Sequence, residues 1–149
     1  MHLTRIEQSY YSVHVGIDHV ILPVRDYEAA KRFYEGSLRP VGIALLLDWP
    51  AGRRAWFGSE GSASSLWLAE SAAAGTLEVC LGVDQPEAVD AFHAEALGAG
   101  ARSSWEPGIR AEFSRDYYAA RIQDPDGNSI EVVCRSEAAA GALDRAVAA

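Results

Sequence analysis

Ile17-Asp18-His19-Val20-Ile21-Leu22-Pro23-Val24 and Leu77-Glu78-Val79-Cys80-Leu81-Gly82-Val83 are the two stretches on which the reading of the fold turns. Each alternates apolar residues at period two, the pattern of a strand with one face buried. A shift of 59 residues lays the first half of the chain on the second without a gap. Val20 then falls on Val79, Leu22 on Leu81, Val24 on Val83, Glu28 on Glu87, Phe33 on Phe92 and Leu38 on Leu97. After each strand comes a helical stripe with spacings of three and four: Ala29, Ala30, Phe33 and Tyr34, then Ala88, Val89, Phe92 and Leu97. Asp26, and Asp84 with Pro86, are start signals for these helices, while Gly42 and Gly98-Ala99-Gly100 close them.

Further alternating runs at 43–49, 54–58 and 65–69, and at 101–105, 117–123 and 128–134, complete two equivalent units. Asp124-Pro125-Asp126-Gly127 is a turn between the last two runs. The expected fold is α+β: two β-α-β-β-β modules in tandem whose curved mixed sheets surround a cavity. Module one covers 17–70 and module two 76–134 of a single domain, with an N-terminal extension (1–16) and an Ala-rich tail (135–149). Residues 106–115 read as a long loop, a candidate lid.

Composition narrows the function classes. Apolar residues make up 49% of 149, and no run approaches the roughly 20 apolar residues of a spanning helix. Residues 1–16 hold no continuous apolar run, so no secretory signal is expected there. The net charge of −8 lacks the clustered basic residues that nucleic acid requires. Two cysteines make no disulfide framework, and a reducing cytoplasm is the simplest setting. By strand parity Cys80 and Cys134 face opposite ways, which forbids a bond between them. Phosphate loops, nucleophile elbows and Cys-x-x-Cys pairs are absent.

With Ile17-Asp18-His19-Val20 at its head and Asp124-Pro125-Asp126-Gly127-Asn128-Ser129-Ile130-Glu131 at its end, the duplicated unit resembles the vicinal-oxygen-chelate superfamily. That group includes glyoxalase I, fosfomycin- and bleomycin-resistance proteins and extradiol dioxygenases. The resemblance implies a His ligand on the first strand, here His19, and a Glu ligand on the last, here Glu131. Where the family often has a second His, this chain has Glu78. It also implies a homodimer with cavities built from modules of two chains, although one chain can also close a cavity alone. One scaffold hosts isomerases, thiol transferases, dioxygenases and non-catalytic binders.

Parity points to the same residues. Val20, Leu22 and Val24 share one face with the helix, and His19 lies on the other; Glu78 and Glu131 likewise oppose the apolar rows of their strands. Carboxylates on an enclosed sheet face are costly unless compensated, and a divalent ion (Mn, Fe, Ni or Zn) held by His19, Glu78 and Glu131 compensates them. The leading expectation is therefore a metal-dependent lyase, isomerase or dioxygenase acting on a small substrate with neighbouring oxygens, Glu131 or Glu78 moving a proton. The alternative is a metal-free binding protein of the bleomycin-resistance kind. Tyr117 is assigned to catalysis and Tyr118 to substrate binding, with parity leaving open which faces the cavity. Arg121, Trp56 and Trp67 are candidate substrate contacts; a rim salt bridge and aromatic core packing are their structural alternatives. His93 reads as a surface residue of the second helix.

Overall fold

In the computed structural model, which describes residues 17–62, 65–72 and 75–135, the repeat reappears as structure. The first half forms β1 (His19–Val24), α1 (Tyr27–Ser37), β2 (Ala44–Trp49), β3 (Arg54–Gly58) and β4 (Ser65–Glu70). The second forms β5 (Glu78–Val83), α2 (Pro86–Gly98), β6 (Arg102–Ile109), β7 (Tyr117–Gln123) and β8 (Ser129–Arg135). Both β1/β5 and α1/α2 begin 59 residues apart. Each half is a four-stranded mixed sheet, ordered β1-β4-β3-β2 and β5-β8-β7-β6, with a parallel pair at β1/β4 and at β5/β8. Neither sheet closes into a barrel, so β1 and β5 remain edge strands.

The helices form where caps and stripes dictate. The Asp26 carboxylate accepts from the Ala29 N–H at 2.9 Å and satisfies one orphan donor of α1. Pro86 opens α2, where its missing N–H costs nothing. Inward residues of both helices and both sheets, among them Leu22, Phe33, Phe57, Phe92, Ile122 and Val132, join one buried cluster. Each such side chain contributes about 2 kcal/mol of burial. The helices therefore lie between the sheets. The opposite sheet faces, which carry His19 on one side and Glu78 with Glu131 on the other, point away from that shared core.

The Asp124–Asn128 turn fastens the two modules together. Asp124 Oδ1 accepts from the backbone N–H of Asp126 and Asn128, and its Oδ2 accepts from the Tyr34 hydroxyl at 2.5 Å. Asn128 Nδ2 donates to the Pro23 carbonyl at 3.1 Å, and its Oδ1 accepts from the Leu77 N–H at 3.0 Å. Asp126 accepts from the Arg25 N–H. Gly127 takes φ +88°, a left-handed value that a Cβ would strain. The closing motif is thus a clamp that spans both modules.

Several expectations need correction. His93 is 5% exposed and its Nε2 lies 2.8 Å from Ser103 Oγ, so it is a core histidine rather than a surface one. β6 continues to Ile109 through two register shifts, which reduces the expected lid to the short segment before β7. Cys80 is exposed and Cys134 buried on the other face of the second sheet, and no disulfide joins them. The N-terminal extension and nearly all of the Ala-rich tail lie outside the described residues. No helix among the described residues is long and apolar enough to cross a membrane.

Candidate functional site

Glu131, in the middle of β8, is 3% exposed, a burial that an isolated carboxylate does not tolerate. Antiparallel register places Arg121 of β7 directly across from it, and Arg121 Nη2 donates to Glu131 Oε2 at 2.7 Å. The Tyr117 hydroxyl donates to the other oxygen, Oε1, at 2.5 Å. Both oxygens are thereby engaged. The same Nη2 lies 2.9 Å from Glu78 Oε1 on the edge strand β5, so one guanidinium ties two carboxylates together. A bulge between Ser103 and Trp105 swings Trp105 opposite Arg121, whose guanidinium carbon sits 3.7 Å from the ring centroid.

These contacts fix protonation states. Burial, and then the hydrogen bond to Glu131, pushes the Tyr117 phenol up to about 12, so Tyr117 is a donor throughout the neutral range. Burial, and then the charge of Glu131, also raises the Cys80 thiol, which keeps it protonated and a poor nucleophile. Two clefts adjoin this face. One, of about 530 Å³, opens between the modules and includes Leu66, Val79 and Cys80 in its lining. The other, of about 430 Å³, is lined by Glu78, Arg121, Gln123 and Ser129 among others.

The first sheet presents a different surface. His19, Trp67 and Trp56 form a ladder across β1, β4 and β3, with centroid separations of 5.1 Å and 5.2 Å. The two indoles stack at 26°, because Trp56 and Trp67 are register partners. Asp18 Oδ1 holds His19 Nδ1 at 2.7 Å. The Trp67 N–H donates to Ser65 Oγ at 3.2 Å, whereas the Trp56 N–H is buried with no acceptor among the described residues. Exposed Ile21, Leu47 and Trp49 widen this apolar surface.

The residues read from sequence therefore gather in two places. Glu78, Glu131, Arg121 and Tyr117 meet on the second sheet, while His19, Trp56 and Trp67 meet on the first. Tyr118 joins neither group: it points to the helix side, and its hydroxyl donates to Asp90 of α2. No group of three His, Cys, Asp or Glu side chains gathers among the described residues of one chain. The Arg121 guanidinium stands as a fixed positive charge between Glu78 and Glu131, and His19 lies on the other sheet, so within one chain these residues do not fit a divalent metal. Sequence reasoning missed Trp105, Phe113, Arg110 and Arg135. The first needed the β6 bulge to be known; Phe113 and Arg110 were read as loop, and Arg135 as the start of the Ala-rich tail.

The comparisons with known proteins agree with this architecture. A family model described as Glyoxalase/Bleomycin resistance protein/Dioxygenase superfamily matches residues 16–132. No curated protein matches. A glyoxalase/bleomycin resistance protein from Albidiferax ferrireducens T118 is 28% identical, covers 80% of this chain and 98% of its own, and superposes with a TM-score of 0.68. TnmS3, an antibiotic binding protein from Streptomyces sp. CB03234, is 29% identical over 85% of this chain and 100% of its own, with a TM-score of 0.63. Lactoylglutathione lyase from Agrobacterium tumefaciens shares the fold at 22% identity, covering 79% of this chain and 92% of its own, with a TM-score of 0.60.

Proposed function

The chain belongs to the Glyoxalase/Bleomycin resistance protein/Dioxygenase superfamily, and from that premise we propose that it is a binding protein for a small, flat, unsaturated molecule, held without a divalent ion and without chemical change. The observation that carries this reading is the occupation of both Glu131 oxygens, by Tyr117 at 2.5 Å and Arg121 at 2.7 Å. A general base needs a free lone pair aimed at substrate, and a metal ligand needs the same. Here each oxygen of the buried carboxylate already accepts one hydrogen bond, and the Arg121 guanidinium between Glu131 and Glu78 is a fixed positive charge that repels a divalent ion. Tyr117 and Cys80, both pushed up by burial, supply neither base nor nucleophile near neutrality.

Binding then falls to the aromatic ladder. A conjugated ring laid on Trp67 and Trp56 gains about 1 kcal/mol per stacked contact beyond the area it buries. The similarity to an antibiotic binding protein at 29% identity supports a drug-like ligand.

We place the complete cavity between two copies of the chain. The ladder and the Arg121 face sit on opposite sides of one helical core, so a single chain does not bring them face to face. In a homodimer the ladder of one copy covers the Arg121 face of the other, and the exposed Ile21, Leu47, Trp49 and Phe113 leave water. The second reading, a metal-dependent enzyme, keeps the family's motif positions His19 and Glu131. It requires Arg121 to release both carboxylates and another copy to supply the imidazole.

Intrinsic tryptophan fluorescence tests the proposal with bleomycin and with a planar polycyclic quinone as titrants. Saturable quenching that is lost in Trp67→Ala is expected. Failure of both to quench saturably contradicts it. Metal analysis of protein purified without chelators separates the two readings, because the enzyme predicts an ion near one equivalent that His19→Ala removes.

A further inference from the structure

On the second sheet, three guanidinium groups pack on two aromatic rings. Arg121 lies 3.7 Å and Arg110 5.0 Å from the Trp105 centroid, and Arg135 lies 4.6 Å from that of Tyr117. Phe113 bridges the rings, 6.1 Å from Trp105 and 5.0 Å from Tyr117. The charges are unequally spent. Arg121 is matched by Glu131 and Glu78, whereas no carboxylate among the described residues lies within ion-pair distance of Arg110 or Arg135. Arg110 Nη2 donates to the Glu106 carbonyl at 2.8 Å, and its Nε–H is buried with no acceptor. Asp116, near the start of β7, accepts from the Ser114 hydroxyl at 2.6 Å and feels the charge of Arg135, whose side chain also hydrogen-bonds Tyr117.

A guanidinium with no carboxylate beside it keeps its charge available to an incoming anion. Ring stacking fixes the guanidinium planes, and the bond to the Glu106 carbonyl holds Arg110 further, so little ordering remains to be done on binding. In a chain of net charge −8, two guanidinium groups with no carboxylate at ion-pair distance among the described residues, beside exposed aromatic surface, are a local exception to the acidic background. We infer that Arg110 and Arg135 form an anion-recognition site, and that the ligand carries an acidic group (carboxylate, sulfonate or phosphate) on a flat aromatic skeleton that rests against Trp105 and Phe113. The inference rests on the binding-protein reading and specifies its ligand class.

Anilinonaphthalene sulfonate and its uncharged counterpart phenylnaphthylamine form a matched pair of fluorescent probes for this site. The sulfonate is expected to bind at least about tenfold more tightly, and Arg110→Gln/Arg135→Gln to remove that advantage while leaving phenylnaphthylamine unaffected. Sulfonate affinity of the unaltered protein is expected to fall with rising salt, and the neutral probe's is not, a measurement independent of whether the variant folds. Equal affinities for the two probes, or an advantage that survives the double substitution, overturn the anion site and leave the binding-protein reading intact. Failure of both probes to bind overturns both.

Discussion

Arg121 and Glu131 face each other across β7 and β8, their side chains joined at 2.7 Å, with Glu78 on the next strand drawn into the same guanidinium at 2.9 Å. An internal cation thus stands between two acidic groups of the second sheet. The chemistry available to this face follows from that pairing.

Arg121→Gln strands a carboxylate that is 3% exposed. Removing one partner of a buried pair costs several kcal/mol, and since Arg121 keeps some contact with water the expected loss is about 2 kcal/mol. Urea unfolding measures it. An unchanged midpoint contradicts the pairing as a structural element.

Tyr117 gives the protein an alkaline limit. Its phenol is raised above the ordinary 10 to about 12 by burial and by Glu131, so the folded state prefers the protonated form. That preference is fully present below pH 10 and is lost as pH rises toward 12, because the unfolded chain gives up its proton first. Stability is therefore expected to decline over this window, and less steeply in Tyr117→Phe. Parallel pH–stability curves for the two proteins contradict the assignment.

Asn128→Ala cuts the clamp between modules. It leaves the Leu77 N–H and the Pro23 carbonyl without their partner, at a residue only 1% exposed. The expected cost is about 3 kcal/mol, two unsatisfied backbone groups plus a small void. Denaturant unfolding should show it, and a loss under about 0.5 kcal/mol counts against the clamp.

Thiol labelling distinguishes the two cysteines. In the native protein one thiol, Cys80, reacts, and slowly at neutral pH because burial and Glu131 raise it. Unfolding without reductant exposes a second, Cys134, from the core. Two native thiols reacting equally, or none after unfolding, contradict this arrangement.

Much of the architecture was legible in the sequence because it repeats. Val20, Leu22 and Val24 recur at the same offset as Val79, Leu81 and Val83, and alternation alone put His19, Glu78 and Glu131 on the faces away from the helices. What parity does not give is where those faces lie relative to each other. The helices pack between the sheets and part His19 from the two carboxylates, a three-dimensional fact with no local signature. Trp105 escaped notice for a related reason: the bulge beside Ser103 breaks the alternation on which the reading relied. His93 was missed because its polar partner, Ser103, is supplied by a neighbouring strand.

Whether the protein needs a divalent ion to hold its ligand is decided by binding with and without one. Tryptophan quenching by anilinonaphthalene sulfonate is to be recorded in excess chelator and again with saturating Mn²⁺, Ni²⁺ or Zn²⁺. Superimposable isotherms and a recovered, unaltered probe are expected. Binding that appears only with the ion, and vanishes in His19→Ala, contradicts the metal-free reading.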